Sequence, residues 1–287
     1  MWRFMLMFFE NLQVAAFADE SSDDFCGQLD ALVRNRLDAI EMRNVDGCNV
    51  VNLTDEQAKD YKKRLSDLGL SVWSLGSPLG KIKITDDFAP HLDSFKRGME
   101  IAALLDAKAV RMFSFYMPSG ADPADYKNEV IDRLGAFCEV AADYRAVLCH
   151  ENEKGIYGDK VARCLEIHRA LPSLKAVFDP ANFVQCGEDT LEAYEALKDY
   201  IYYLHIKDAK ADGAVVPPGD GIGNIAELIL RYRKAGGNVI TLEPHLFEFS
   251  GLKALEQEGN TSEVGSYNFK TAEEAFDYAV TAVKKLI

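Results

Sequence analysis

The sequence is short of positive charge and of long apolar runs. It carries 32 lysine and arginine residues against 46 aspartate and glutamate residues, which gives a net charge of -14 at pH 7. A chain this acidic matches a phosphate backbone or an anionic membrane surface poorly, so we expect no nucleic-acid partner and no membrane partner. No stretch approaches the roughly 18–20 apolar residues of a transmembrane helix.

Paired cysteine motifs are also missing, since the chain contains no CxxC. Scattered cysteines in a chain of 287 residues favour reduced thiols and a cytoplasmic location over a disulfide framework. The first 18 residues imitate a secretory signal through an apolar head and the small-x-small "AFA". Because Glu10 and Asn11 interrupt the apolar region, we predict instead an N-terminal extension over residues 1–12 that packs against the rest of the protein.

No Pro/Ser-rich linker or shift in composition divides the chain, which predicts one domain over residues 1–287. Short apolar, β-branched or aromatic runs alternate with longer stretches of helical periodicity. The predicted strands begin at residues 14, 39, 71, 109, 146, 176, 202 and 239. Eight strand–helix units predict an α/β fold, a single (β/α)8 TIM barrel. A doubly wound open sheet is the alternative, but its first strand should run into a Gly-rich phosphate turn, and "AAFADESS" does not.

Four consecutive predicted strands carry a metal-capable side chain at the same end. In chain order these are Glu151, Asp179, His205 and Glu243. A single acidic residue at a strand end is ordinarily a solvated terminus, but the carboxyl ends of barrel strands pool around one axis. Three carboxylates crowded without a cation repel, and one has to take up a proton. A divalent ion resolves this, because carboxylate oxygens and an imidazole nitrogen suit Mn²⁺, Mg²⁺ or Zn²⁺.

The motifs "HENE", "FDPANF", "HIKDA", "GDGIGN" and "LEP" resemble those of the xylose isomerase-like sugar-phosphate isomerase/epimerase superfamily. The resemblance covers nearly the whole chain, and it implies that Glu151, Asp179, His205 and Glu243 form a single-metal ligand set. It also implies that Glu151 and Glu243 serve as an acid/base pair. Mn²⁺ is the expected ion, with Mg²⁺ or Zn²⁺ as alternatives. DNA-repair endonucleases of the superfamily use three zinc ions and additional histidines, which the five histidines of this chain do not supply.

Three further residues near the strand ends are predicted to bind substrate. Lys207 and His245 each follow a predicted ligand by two positions. Strand alternation places Lys207 on the same side as its ligand, and it does so for His245 if the strand continues through Pro244. Glu153 lies two positions after Glu151, so strand alternation places it on the same face, where it either orients substrate or faces solvent. His150 and Asn152 flank Glu151 and cannot share its orientation unless the strand has already ended.

Charges inside apolar strands form another group of candidates. Arg111, Glu41 and Arg43 interrupt otherwise apolar runs. Unpaired charges are costly inside a barrel, so these residues either pair with one another or line the pocket. Arg111 is assigned to substrate binding, and a structural Glu–Arg pair is expected for at least one of the three.

Two other features have alternative interpretations. The glycines of "PPGDGIGNI" bind a phosphate or allow a tight turn beside the metal. No GK[ST] follows, so the stretch is not a Walker loop. An aromatic group forms either an apolar wall for a sugar or ordinary core, and its members are Trp73, Phe113, Phe115 and Tyr116.

These residues predict a divalent-metal-dependent isomerase or epimerase of a ketose or related polyhydroxy carbonyl compound, acting through an enediolate. A dehydratase or lyase on an inosose or keto-sugar derivative is an alternative, because the same enediolate can expel a β-substituent. A non-catalytic sugar-binding barrel is a further alternative, although intact ligands at all four strand ends argue against it. The expected partner is a small carbohydrate, and a homo-oligomer is left open.

Overall fold

A computed structural model describes residues 11–249 and 267–287 of the chain. Within them a closed parallel barrel is formed by β1 (Gln13–Ala16), β2 (Ala39–Met42), β3 (Ser71–Gly76), β4 (Ala109–Met112), β5 (Val147–Glu151), β6 (Lys175–Phe178), β7 (Ile201–Ile206) and β8 (Val239–Leu242). Each strand pairs with its neighbours in chain order, and β8 closes the barrel against β1. The predicted (β/α)8 barrel is confirmed, and the doubly wound alternative is wrong. Residues 1–10 of the predicted N-terminal extension lie outside the described residues.

Helices connect the strands around the outside of the barrel. They are α1 (Phe25–Arg34), α2 (Asp55–Asp67), α3 (Phe88–Leu105), α4 (Lys127–Ala141), α5 (Val161–Ala170), α6 (Pro180–Gln185), α7 (Thr190–Leu197), α8 (Ile225–Lys234) and α9 (Ala272–Lys284). The local sequence determines where helices begin: α2 begins at Asp55 because Thr54 and Gln57 form a reciprocal capping box at its N-terminus. Across residues 11–249 and 267–287, none of the helices combines the length and apolarity needed to cross a membrane.

The barrel interior changes from apolar to charged along the strands. One residue from each strand builds an apolar layer, namely Ala15, Ala39, Trp73, Ala109, Cys149, Val177, Tyr203 and Val239. Side chains on one face of a strand recur every two residues. The next positions toward the carboxyl ends therefore place charged groups above this layer, for example Glu41, Arg111 and His205. Outward-facing neighbours such as Ile40 and Val110 join the larger apolar core beneath the helices.

Asp208 organises the glycine-bearing loop that follows β7. Its carboxylate accepts hydrogen bonds from the backbone N–H groups of Ala209, Gly219, Gly221 and Gly223 at 2.8–3.0 Å. A Cβ at Gly221 would lie 2.3 Å from Asp208 Oδ1, so only glycine permits this approach. The amides that a phosphate would need already bind a carboxylate. This arrangement favours the tight-turn interpretation over the phosphate site.

Candidate metal centre

Four strand ends bring three carboxylates and one imidazole together inside the barrel. Glu151 is the last residue of β5, and His205 lies near the end of β7. Asp179 and Glu243 directly follow β6 and β8. Each of the four residues is at most 2% exposed. Each offers one ligand atom, and these atoms all lie within 4.8 Å of one another.

The His205 ring lies between the carboxylates. Its Nδ1 is 3.0 Å from Glu151 Oε1 and 3.3 Å from Glu243 Oε2. Its Nε2 is 3.2 Å from an oxygen of Glu41 on β2. Burial alone lowers the pKa of His205, but the carboxylates of Glu151 and Glu41 outweigh it and raise that pKa well above its ordinary value. Nδ1 is therefore the nitrogen that faces the other candidate ligands.

Asp179 is fixed by its place between a strand and a helix. Its Oδ1 accepts the backbone N–H of Asn182 at 2.8 Å and so caps the N-terminus of α6. Its own backbone N–H donates to Asn152 Oδ1 at 2.9 Å, while Asn152 Nδ2 donates to the Asp179 carbonyl at 2.9 Å. One carboxylate oxygen is thus engaged by the helix, and Oδ2 is directed toward Lys207, 2.9 Å away.

The two glutamates share a common arrangement in which one oxygen faces His205 and the other faces an arginine. Arg111 Nη1 is 2.8 Å from Glu151 Oε2, and Arg43 Nη1 is 3.1 Å from Glu243 Oε1. Burial opposes ionisation of Glu151, but His205 and Arg111 lower its pKa to about 2. Nearby cations likewise outweigh burial at Glu243 and hold its pKa well below its usual range. Both glutamates are therefore ionised at neutral pH.

The pKa of Asp179 reflects the electrostatic repulsion among the three carboxylates. Burial, with added repulsion from Glu151 and Glu243, raises the pKa of Asp179 to about 6 despite the opposing effect of Lys207. This is the behaviour expected when like charges share a buried space. Additional positive charge at this point would favour ionisation of all three groups.

The donor set fits a divalent ion. Three carboxylate oxygens and an imidazole nitrogen suit Mn²⁺, Mg²⁺ or Zn²⁺, whose bonds to such ligands are about 2.0–2.3 Å long. Ligands of one ion lie no farther apart than about twice this length, which is close to the 4.8 Å that bounds the four atoms. The Nδ1 of His205 faces the carboxylates of Glu151 and Glu243, while its Nε2 is already engaged by Glu41.

The family model described as a xylose isomerase-like TIM barrel matches residues 29–262. The chain belongs to this family. A sequence comparison with curated proteins finds no match.

Solved structures with this fold include several enzymes. A D-allulose 3-epimerase from Methylomonas sp. in complex with D-allulose has a TM-score of 0.74 at 15% identity, over 96% of each chain. The IOLI protein with a bound zinc atom has a TM-score of 0.74 at 18% identity, over 96% of this chain and 98% of that one. The probable 3-DHS dehydratase AsbF from Bacillus anthracis has a TM-score of 0.73 at 17% identity, with the same coverage. At these identities the likeness shows a shared fold.

In this xylose isomerase-like barrel, Lys207 and Glu153 differ in how closely they approach the ligand cluster. Lys207 Nζ is 2.9 Å from Asp179 Oδ2 and 3.4 Å from Glu243 Oε2. The charges of Asp179 and Glu243 outweigh burial and raise the pKa of Lys207. Glu153 pairs with Lys81 at 3.2 Å and its side chain is 18% exposed. Lys207 therefore directly contacts the candidate ligands, whereas Glu153 lies at the edge of the site.

His245 belongs to a second charged group beside Glu243. Its Nε2 is 3.4 Å from Glu20 Oε1 and 3.5 Å from Glu243 Oε1, and its backbone N–H donates to Glu20 Oε2 at 2.6 Å. Arg43 binds Asp19 through two hydrogen bonds of 2.8 and 3.0 Å. Sequence reasoning did not assign Asp19 or Glu20 to the site, although both stand in the "FADE" that directly follows the first strand.

The charges inside the strands were expected either to pair with one another or to line the pocket, and their closest partners in the structure are the candidate metal ligands and Tyr203. Arg111 and Arg43 bind the second oxygens of the candidate ligands, as described above. Glu41 accepts hydrogen bonds from the Tyr203 hydroxyl at 2.8 Å and from His205 Nε2 at 3.2 Å. The inward alternation of β2 explains why Glu41 reaches the ring, but its partners come from a strand more than 160 residues away.

His150 and the aromatic residues have mainly structural positions. His150 faces away from the site toward Ser114 Oγ at 2.9 Å, and burial lowers its pKa to about 3. Trp73 lies in the apolar layer of the barrel interior, and Phe115 lies in the outer core. Phe113 is the member that reaches the site, because the Arg111 guanidinium lies 4.7 Å from its ring centroid.

Phe17 is a residue of the site that sequence reasoning missed. It follows β1, is fully buried, and places its ring edge-on to His205 with centroids 5.3 Å apart. The guanidinium carbons of Arg43 and Arg111 lie 4.4 and 5.2 Å from its centroid. Gly76 makes room for the ring, because a Cβ there would lie 2.3 Å from Phe17 Cε1. A glycine at a strand end was the available sequence signal.

Proposed function

We propose that the protein is a divalent-metal-dependent isomerase or epimerase that acts on a ketose or a related polyhydroxy carbonyl compound. The observation that carries this proposal is the convergence of Glu151, Asp179, His205 and Glu243 on one buried space. A divalent ion held there would supply positive charge that stabilises the developing enediolate oxygen of the substrate. Mn²⁺ is the proposed ion, with Mg²⁺ and Zn²⁺ as alternatives.

Glu151 and Glu243 are proposed to carry the proton. Each is ionised at neutral pH, and they enter the site from β5 and β8, which are separated by two strands. One carboxylate takes the proton from the carbon next to the carbonyl. The C–H electron pair forms the C=C bond, and the carbonyl π electrons move onto oxygen. Because both carboxylates are ionised at the start, the second delivers a proton that it first takes up from solvent. Delivery to the other face of the same carbon gives an epimer. Delivery to the neighbouring carbon, with the hydroxyl proton passing to the former carbonyl oxygen, gives an isomer.

Four side chains are proposed to orient the substrate. Lys207 has a raised pKa, so it acts as a hydrogen-bond donor to a substrate oxygen rather than as a base. Arg111 holds Glu151 and leaves its Nε and Nη2 without a hydrogen-bond partner among the described residues. His245 lies beside Glu243 at the opposite side, and Glu153 contributes at the edge of the site.

The remaining expectations stay predictions. One domain over residues 1–287, a cytoplasmic location and the lack of a nucleic-acid partner are proposed on composition and charge, with a net charge of -14. Salt-dependent binding of duplex DNA in the micromolar range or tighter at physiological ionic strength would overturn the last of these.

Deuterium exchange tests the proposed reaction. The purified protein is stripped with a chelator, reloaded with Mn²⁺ and incubated in D₂O with ketoses, inososes and 3-keto sugars. After removal of the ion, NMR and mass spectrometry report the carbon next to the carbonyl. We expect deuterium gain and an isomeric product without loss of water. Elimination of water would show a lyase, and the lack of exchange across the whole panel would contradict the proposal.

A further inference from the structure

Glu41 is a fully buried carboxylate at the interior of the barrel. It stands on β2, two residues beyond Ala39 of the apolar layer. Both of its oxygens are used: Oε1 accepts the Tyr203 hydroxyl at 2.8 Å, and Oε2 faces His205 Nε2 at 3.2 Å. Burying a carboxylate is costly unless it is hydrogen-bonded, so a purely packing role would be filled better by an apolar side chain.

The position of Glu41 determines which nitrogen of His205 carries a proton. A neutral imidazole has one N–H and one lone pair, and the hydrogen bond at one nitrogen sets the role of the other. Glu41 accepts the N–H at Nε2, so Nδ1 is the nitrogen that an ion replacing its proton would bind, in the space beside Glu151 and Glu243. The rings of Phe17 and Tyr203 pack against the imidazole at centroid distances of 5.3 and 5.5 Å. Ring packing restrains the plane of the imidazole but does not select the tautomer.

Tyr203 in turn fixes Glu41. Its hydroxyl lies 2.8 Å from Glu41 Oε1 and 3.1 Å from Ser74 Oγ, so the carboxylate is held from the far side of the barrel. The resulting chain runs from Ser74 through Tyr203 and Glu41 to His205, and every member is buried.

We propose that Glu41 is a positioning residue that holds His205 in the tautomer and orientation needed to bind a divalent ion. This role rests on the metal site of the proposed function. Carboxylates behind metal-binding histidines typically change metal affinity by 10–100-fold when removed. The Glu41 oxygen that faces the candidate ligands contacts His205, and its other oxygen is committed to Tyr203.

The test measures Mn²⁺ affinity of the full-length protein by electron paramagnetic resonance of the free ion. We expect Glu41→Gln, which keeps an acceptor but removes the charge, to weaken binding about 10-fold, and Glu41→Leu to weaken it up to about 100-fold. Tyr203→Phe is the matched control, because it removes the other hydrogen bond of Glu41 and leaves the His205 contact. It should weaken binding less than about 3-fold. Circular dichroism and thermal melting show that each variant is folded.

A second pair of variants separates positioning from a general effect of charge. In a His205→Gln background, Glu41→Gln should cause no further loss of Mn²⁺ affinity, whereas in an Asp179→Asn background the roughly 10-fold loss should persist. Equal losses in both backgrounds, or wild-type affinity in folded Glu41→Gln, would overturn the role of Glu41. Failure of the wild-type protein itself to bind Mn²⁺ would contradict the proposed function instead, so the two failures are distinguishable.

Discussion

Replacing Asp208 by asparagine should destabilise the protein measurably, although it changes only one oxygen to nitrogen. Asp208 Oδ1 accepts the N–H groups of Ala209 and Gly223, and Oδ2 accepts those of Gly219 and Gly221. An asparagine oxygen retains one of these pairs, but its NH₂ group then points at two further N–H donors. If the asparagine oxygen stays with the buried N–H groups of Ala209 and Gly223, the donors left without an acceptor are those of Gly219, which is exposed, and Gly221, which is half-buried. Because water can reach these donors in part, we expect a loss of roughly 1–3 kcal/mol for the pair. That is a measurable part of an ordinary stability of about 5–15 kcal/mol.

Denaturant unfolding measures this loss directly. Asp212→Asn is the matched control, because Asp212 is exposed and accepts one backbone N–H, that of Ala214 at 3.1 Å. A surface substitution of this kind is expected to change stability by no more than about 0.5 kcal/mol. If Asp208→Asn lost no more stability than Asp212→Asn, the loop would not depend on the carboxylate, and the glycines would need another explanation.

Three further outcomes follow from the structure. Glu243→Gln should retain metal and lose turnover by roughly 10²–10⁴-fold, whereas Asp179→Asn should lose metal affinity and recover part of its activity at high metal concentration. Metal content and D₂O exchange, measured on each variant, distinguish the two results. Equal losses of activity that added metal restores in both variants would mean that Glu243 is only a ligand. Burial lowers the pKa of His168 to about 4, so the unfolded chain takes up the proton first. Stability present above pH 6.5 is then lost as pH falls toward 4, by up to about 3 kcal/mol. The free energy of unfolding, measured with denaturant at several pH values in this range, should depend less on pH in His168→Gln than in the wild-type protein. An identical pH dependence in the two proteins would refute the role of His168. Gly76→Ala should cost about 1–3 kcal/mol by displacing Phe17, and an unchanged melting temperature would contradict that.

The barrel and the candidate ligands were predictable because their signals are local. Each strand is a short apolar run whose alternation persists to the tip, as in the stretch from Cys149 to Glu151. Parallel strands in a closed barrel must bring their carboxyl ends together, so Asp179 and Glu243 meet Glu151 without any further information. The helix start at Asp179, whose side chain accepts the backbone N–H of Asn182, could also be predicted, since an acidic residue before a proline is a common start of a helix.

The partners of these ligands were not predictable in the same way. The Arg43–Glu243 pair joins residues 200 positions apart, and the Tyr203–Glu41 pair joins residues 162 positions apart. Sequence alternation places each side chain inside the barrel but does not choose among several inward-facing charges. Phe17 shows the same limit, because its contact with Gly76 joins the ends of β1 and β3, which lie on either side of β2 and approach through the twist of the barrel.

Metal content after equilibrium dialysis tests the central claim most directly. Wild-type protein and the variants Glu151→Ala, Asp179→Ala, His205→Ala and Glu243→Ala are stripped, dialysed together against a low concentration of Mn²⁺, and analysed by mass spectrometry of the metal. The four groups lie within 4.8 Å of one another, so we expect one ion per wild-type chain and a marked loss in every variant. Wild-type protein without bound Mn²⁺, Mg²⁺ or Zn²⁺, or full occupancy in the variants, would contradict a shared metal site at these strand ends.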